Sequence, residues 1–374
     1  MIIGVLKDAL PERRVALLPE NIKMLVARKA KVVLESGAGT EAFATDSEFT
    51  EAGAEVLARE QVIDKADLLV LVGEPELSLI KQLKKGQVWL SEYKPLWNKN
   101  LVKEFQKAGI TSFSMDAVPR TTRAQAMDVL SSMATIAGYK SVLEAANHLP
   151  SFFPMFISAA GTIRPANVLI LGAGVAGLQA IAIARKLGAQ VEAFDVRSAV
   201  KEEVMSLGAR FVEVEGATED AAAGGYAVEQ SEAYKRKQQE AINRHAAKAN
   251  VVICTAQIPG RKAPLLISKD VVASMQPGSV IIDLASSTGG NCELSEDNKL
   301  VVKHGVSIIG QSNYAAQMPK DASKMFGKNV SNFLELLIDE EGNLKLDFDD
   351  EIVRGTCITH EGELINERIK SVID

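Results

Sequence analysis

The stretch Val168-Leu-Ile-Leu-Gly172-Ala-Gly174-Val-Ala-Gly177 constrains this chain more than any other. Four apolar residues run into glycines spaced G-x-G-x-x-G, and an alanine- and isoleucine-rich run follows. The pattern predicts a buried strand Asn167–Leu171, a tight turn and a helix Val175–Leu187. In a dinucleotide site each glycine has its own task. Gly172 makes the turn, Gly174 lets backbone approach a pyrophosphate, and Gly177 lets helix and strand pack closely. The helix start then offers N–H groups and a positive dipole end to phosphates. The next strand, Gln190–Asp195, ends in a carboxylate 18 residues after Gly177. Such an acid accepts from ribose hydroxyls and repels a 2′-phosphate, which favours NAD(H) over NADP(H). Arg197, two residues on, is a cation able to meet a phosphate. A purely structural glycine turn is the alternative reading. The stretch Val168–Ala184 is also free of charge, but its glycines and Gln179 fit strand–turn–helix better than a membrane span of about 20 apolar residues.

A chain of 374 residues is long enough for two domains. Strands are expected at Met1–Leu6, Lys31–Glu35, Asp67–Val72, Gln87–Leu90 and Ile110–Ser114, with helices at Pro19–Arg28 and Ser47–Glu60. A second series adds Arg210–Val214, Val251–Thr255, Val280–Asp283 and Ser307–Gly310, with helices at Val200–Leu207 and Glu229–Ala249. Thr122–Pro150 reads as one long helical connector, and the helical Ala322–Leu337 returns to the first domain. The expected fold is α/β: two Rossmann-like, doubly wound parallel-sheet domains joined by long helices. The first domain is discontinuous, 1–135 plus 320–374, and 136–319 is the dinucleotide-binding domain.

Net charge is −6 with no long basic block, which argues against a nucleic-acid partner. Three cysteines, Cys254, Cys292 and Cys357, lie far apart and read as core thiols in a reducing cytoplasm, with neither a disulfide framework nor a metal site. Lys7 and Asp8 interrupt the apolar start where a signal peptide needs its apolar core. Gly37-Ala-Gly39 lacks a third glycine and an acid closing a following strand, so it reads as a plain turn.

Val118-Pro-Arg120-Thr-Thr-Arg123-Ala-Gln125-Ala-Met-Asp128-Val-Leu-Ser131-Ser132 closely resembles a loop and helix start in the NAD(H)-binding component of proton-translocating transhydrogenase. Arg13-Arg14-Val-Ala, Glu35-Ser-Gly-Ala-Gly39, Ala159-Ala-Gly161, Gly224-Gly-Tyr226-Ala, Ile258-Pro-Gly260, Thr288-Gly-Gly-Asn-Cys292 and Gly355-Thr-Cys357 extend the likeness over nearly the whole chain. The resemblance implies direct hydride transfer between NAD(H) on this chain and NADP(H) held on a separate component. It also implies coupling to proton translocation by membrane-embedded subunits, a homodimer, and a peripheral position on the cytoplasmic face of the inner membrane without insertion. Arg120, Gln125, Asp128 and Ser131 are the implied catalytic residues. Implied cofactor contacts are Arg120, Thr121, Thr122, Arg123, Gly172, Gly174, Val175, Gly177, Asp195, Val196, Arg197, Gly225, Tyr226 and Gln257. Arg120 would orient the nicotinamide or a phosphate, Gln125 a ribose, and Asp128 with Ser131, at i and i+3 on one helical face, would fix Arg120 or the carboxamide. Surface ion pairs beside a helix start are the plain alternative for Arg120, Arg123 and Asp128. The Gly225-Tyr226 stretch reads as a closing loop, or simply a surface loop.

Alanine dehydrogenase shares the fold resemblance and is the nearest rival. It implies an N-terminal Arg, a Lys, a His and a later Asp. Arg14 matches, but Gly73 stands for the lysine, the histidine is missing near Tyr93-Lys94, and Ser287 stands for the acid. Amino-acid oxidation needs a base and a cation for the carboxylate, so most of that chemistry is absent. A non-enzymatic NAD(H)-sensing module is the third reading.

Overall fold

The computed structural model describes residues 1–214 and 231–373. They divide into two units, Met1–Met133 with Ala315–Asp374, and Ala134–Tyr314.

The first unit is built on an eight-stranded sheet. Its strands are β1 (Ile2–Val5), β2 (Lys31–Glu35), β3 (Ala54–Leu57), β4 (Leu68–Val70), β5 (Val88–Ser91), β6 (Thr111–Ser114), β16 (Cys357–His360) and β17 (Glu363–Leu364). In space they run β17-β16-β6-β5-β4-β1-β2-β3. All pairings from β3 to β6 are parallel, and β16 and β17 join antiparallel. The order 3-2-1-4-5-6 is that of a doubly wound sheet, whose connections part company between β1 and β4. Successive strand residues enter opposite cores: Ile3, Val5, Leu34 and Val70 on one face, Val33, Leu69 and Trp89 on the other. Strands covered on both faces read as near-continuous apolar runs, which is why these are legible in the sequence.

The expected helix Ser47–Glu60 is a correction. Two helices, Asp46–Glu51 and Arg59–Lys65, flank β3 instead. Gly53 at φ +103° ends the first helix and turns the chain into the sheet. The expected connector Thr122–Pro150 is likewise split into a 3-10 segment, Thr122–Met127, and a helix, Val129–His148.

The second unit carries a two-stranded hairpin, β7 (Phe156–Ser158) with β8 (Gly161–Ile163), and a seven-stranded sheet. The sheet contains β9 (Asn167–Leu171), β10 (Gln190–Phe194), β11 (Arg210–Phe211), β12 (Val251–Cys254), β13 (Val280–Asp283), β14 (Lys299–Lys303) and β15 (Val306–Gly310). Its order, β11-β10-β9-β12-β13-β15-β14, repeats the 3-2-1-4-5-6 winding, with only β14 antiparallel. The divergence point here lies between β9 and β12. Among the described residues no helix is long and apolar enough to cross a membrane. All three cysteines are buried and unbridged.

Candidate functional site

The turn after β9 separates the three glycines by what each one faces. Gly172 sits at φ +102°, where a side chain is strained, and a Cβ there would lie 2.5 Å from Thr255 Oγ1. Thr255 Oγ1 donates to the carbonyls of Leu171 and Gly172, tying the end of β12 to the turn. A Cβ on Gly177 would fall 1.9 Å from the Gly172 carbonyl oxygen, so the Val175–Lys186 helix sits flush on the turn only without one. Gly174 differs from both. It caps the helix with no side-chain bond of its own, and a Cβ there would meet no protein atom within 4 Å. The fold needs glycine at 172 and 177, whereas at 174 bare backbone faces open space beside a helix start rich in N–H donors. Val175, the first helical residue, is exposed at that edge.

Asp195 closes β10 and is already bound within the protein. Its carboxylate accepts from Ala173 N–H at 2.8 Å, from Arg197 N–H at 2.9 Å, and from Arg197 Nε and Nη2 at 2.9 and 2.8 Å. The carboxylate holds the Arg197 guanidinium above its ordinary pKa. Val196 packs partly buried against the apolar core. Gln257, in the loop after β12, donates its amide to the Leu284 carbonyl at 2.8 Å. Gly225 and Tyr226 lie outside the described residues.

The Gln257 loop has a support that sequence reasoning missed. Asp283, fully buried at the end of β13, accepts from the N–H groups of Ala285, Asn291 and Cys292 and from Ser295 Oγ. Asn291, equally buried, then donates to the carbonyls of Ala256 and Pro264 and accepts from Ala256 N–H. Two fully satisfied polar side chains thus fix the loop that carries Gln257, and truncating one would strand several buried partners. The signal was Thr288-Gly-Gly-Asn-Cys292: Gly289 and Gly290 both take positive φ so that the chain can wrap the Asp283 carboxylate.

In the first unit, Arg120, Thr121, Thr122, Gln125, Asp128 and Ser131 line one pocket with Pro119 and Ala124. Asp128 is not on a helical face with Ser131, as expected, but is the cap of the Val129–His148 helix. Its backbone is extended, its carbonyl accepts from Ser132 N–H, and its carboxylate accepts from Ser131 N–H at 2.9 Å and Ser131 Oγ at 2.6 Å. Thr121 Oγ1 is buried without a hydrogen-bond partner. Asn329 and Asn332 both donate to the Ala126 carbonyl and pin the segment to the Pro319–Leu334 helix. Arg123 does not line the pocket. Its guanidinium pairs with Asp350, the cap of the Glu351–Thr356 helix, and holds that carboxyl below its usual range.

The rival's position is filled by the chain itself. Arg14 is buried and its guanidinium is held by both oxygens of Glu12 at 2.8 and 2.7 Å. Gly73 donates its N–H to Asp8, Tyr93 is wholly buried with its hydroxyl on Ser112 Oγ, and Lys94 Nζ lies 3.6 Å from Glu74. No group of three His, Cys, Asp or Glu side chains among the described residues is placed to hold a metal.

Comparison with known proteins gives a consistent pattern. The alanine dehydrogenase/PNT N-terminal domain matches residues 4–137, and the C-terminal domain of the same family matches residues 141–367. The first of the polypeptides that make up NAD(P) transhydrogenase subunit alpha in Rhodospirillum rubrum is 44% identical over 379 aligned residues, covering 98% of each chain. A crystal structure of transhydrogenase from Sinorhizobium meliloti superposes with a TM-score of 0.89 at 40% identity, over 98% of this chain and 100% of that one. An L-alanine dehydrogenase structure, 23% identical with a TM-score of 0.81 over 100% and 99% of the two chains, shares the fold.

Proposed function

The chain belongs to the alanine dehydrogenase/PNT family, and on that footing we propose that it is the NAD(H)-binding component of a proton-translocating NAD(P) transhydrogenase. It transfers hydride directly between NADH and NADP+ held on a separate component. Membrane-embedded subunits couple that exchange to proton movement and keep the chain on the cytoplasmic face of the inner membrane. The observation that carries the reading is Gly174, where the fold leaves bare backbone facing open space next to a bound acid at the end of β10.

The residues divide the work. Gly172, Gly174 and the first turn from Val175 hold the pyrophosphate with backbone N–H groups. Asp195 takes the ribose hydroxyls, and its bond to Ala173 N–H orders it beforehand. Gln257 shapes the wall at the end of β12. Arg120, with Gln125, Asp128, Ser131 and the unpaired Thr121 hydroxyl, orients the nicotinamide, whose C4 supplies or accepts the hydride. Positioning supplies much of such a reaction, because the reacting carbons must come within roughly 3–3.5 Å. No acid or base is needed for the transfer. Amino-acid oxidation is disfavoured because Glu12 occupies the one matching cation, Arg14.

A homodimer accompanies this reading. The β7–β8 hairpin pairs only with itself and exposes Phe156, Ile157 and Ile163 near Phe152 and Met155. A two-stranded hairpin with apolar residues in water is marginal alone, which supports burial against a second copy.

The test mixes this chain with an NADP(H)-binding component and follows hydride from NADH to an NADP-type acceptor. Exchange is expected, and Arg120→Ala lowers it far more than it lowers NADH affinity. NAD reduction by L-alanine, or binding without either activity, replaces the proposal with one of its two rivals. Equal losses of rate and affinity in Arg120→Ala would remove the orienting role.

A further inference from the structure

A carboxylate that discriminates against a 2′-phosphate normally does so by repulsion alone. Here it also holds a cation. The Arg197 guanidinium bonds both oxygens of Asp195, Nε to Oδ1 at 2.9 Å and Nη2 to Oδ2 at 2.8 Å, and the Arg197 backbone N–H adds a third bond at 2.9 Å. The acid side chain is 7% exposed and the arginine 26%, so the pair lies at the rim of the crevice with the cation on the solvent side. The guanidinium is the side chain best shaped for a phosphate, and two residues past the ribose acid is where such a group would stand.

We propose that Arg197 is a latent 2′-phosphate-binding residue withheld by Asp195, so that the preference for NAD(H) over NADP(H) in this chain rests on one carboxylate. The proposal rests on the second unit being the NAD(H) site. Asp195 acts twice, repelling the phosphate and neutralising the cation that would receive it. Glu203 is the other carboxylate whose field reaches Arg197 and is the competitor for a released guanidinium. Tyr234, whose hydroxyl also feels the charge of Asp195, is the remaining titratable neighbour.

The test titrates the full chain with NADH and with NADPH, following reduced-nicotinamide fluorescence. Wild type is expected to bind NADH far more tightly than NADPH. In Asp195→Ser, NADH binding weakens by about tenfold or more and NADPH binding tightens by about tenfold or more, the range a charge-assisted bond supplies. Adding Arg197→Ala erases the NADPH gain. Asp195→Asn, closer in shape, gives the same direction and serves if the serine variant folds poorly by circular dichroism. No NADPH gain in either variant, or a gain that survives Arg197→Ala, overturns the proposal. Wild type without NADH affinity would overturn the site assignment itself, a result distinct from a wild type that binds NADH and variants that fail to switch.

Discussion

The turn after β1 and the turn after β9 stand at the same place in their two sheets. Val5 pairs with Leu34 as Leu171 pairs with Phe194, so Lys7 corresponds to Ala173, Asp8 to Gly174 and Glu35 to Asp195. Much is shared. Lys7 N–H donates to Glu35 at 2.8 Å, as Ala173 N–H donates to Asp195 at 2.8 Å, and each acid holds an arginine, Arg59 or Arg197. The difference lies in the third residue after the strand. In the second unit it is Gly174, facing open space at the start of a helix. In the first it is Asp8, whose carboxylate accepts from the N–H groups of Val72 and Gly73, just past β4, and the next helix begins only at Pro19. The first unit thus supplies its own anion where the second leaves room for one. A doubly wound sheet provides the crevice and the acid, and one residue decides whether an outside anion can enter.

The comparison breaks most visibly at the glycines. Gly177→Ala places a Cβ against the Gly172 carbonyl, and we expect a loss of about 3 kcal/mol in urea unfolding with NADH binding abolished. Gly4→Ala, with a Cβ 2.8 Å from Ala66 and Leu69, is expected to destabilise without touching NADH affinity. Gly174→Asp makes the second turn resemble the first. The melting temperature should stay unchanged while NADH affinity falls by about a hundredfold or more through a carboxylate set against phosphate. Retained affinity would mean that the crevice is not where the dinucleotide binds.

A smaller effect concerns pH. Burial pushes the Asp8 carboxyl up to about 7, against the two N–H bonds that lower it. The folded chain therefore keeps a proton that the unfolded chain releases near pH 4. The stability that this proton contributes is complete below that point and is lost as pH rises towards about 7. Asp8→Asn should flatten this decline in unfolding curves taken between the two limits, and an unaltered slope would show that Asp8 does not titrate there. Smallest of all, Glu35→Gln removes a partly exposed pair with Arg59 and should change stability by under ~1 kcal/mol, leaving NADH binding alone. A clear loss of affinity would mean the two acids are closer in function than in place.

Turn chemistry is legible in the sequence because it is local. Gly172 and Gly177 announce their backbone needs at fixed spacing, and the buried parallel strands announce themselves by apolar runs. What depends on register or distant partners is not. Gly37-Ala-Gly39 points to the turn after β2 as a second crevice, whereas the comparable turn follows β1 and lacks glycine. Strand β3 hides inside an apparent helix because four residues after Gly53 carry too little pattern. Strands β14, β16 and β17 are short antiparallel additions at sheet edges, partly polar, with no repeat to mark them. The Asp283–Asn291 clamp joins residues from three loops, and Asp128 looks like a helical residue because a cap is defined by the turn it begins.

The pairing of β6 with β16 sets an order in time. Phe113 lies beside Cys357, and Val15 N–H donates to Ser323 Oγ, so the first unit cannot finish its sheet until some 200 to 240 later residues exist. At the ~5–20 residues per second of synthesis that wait is on the order of tens of seconds. The second unit, continuous from Ala134 to Tyr314, has all its strands before then. The portion of the chain made first is thus the last to close. Through that interval its open edge is Thr111-Ser-Phe-Ser114, a strand whose hydroxyls later bond Tyr93, Thr359 and His360 and which until then offers water, rather than a neighbouring chain, something to hold.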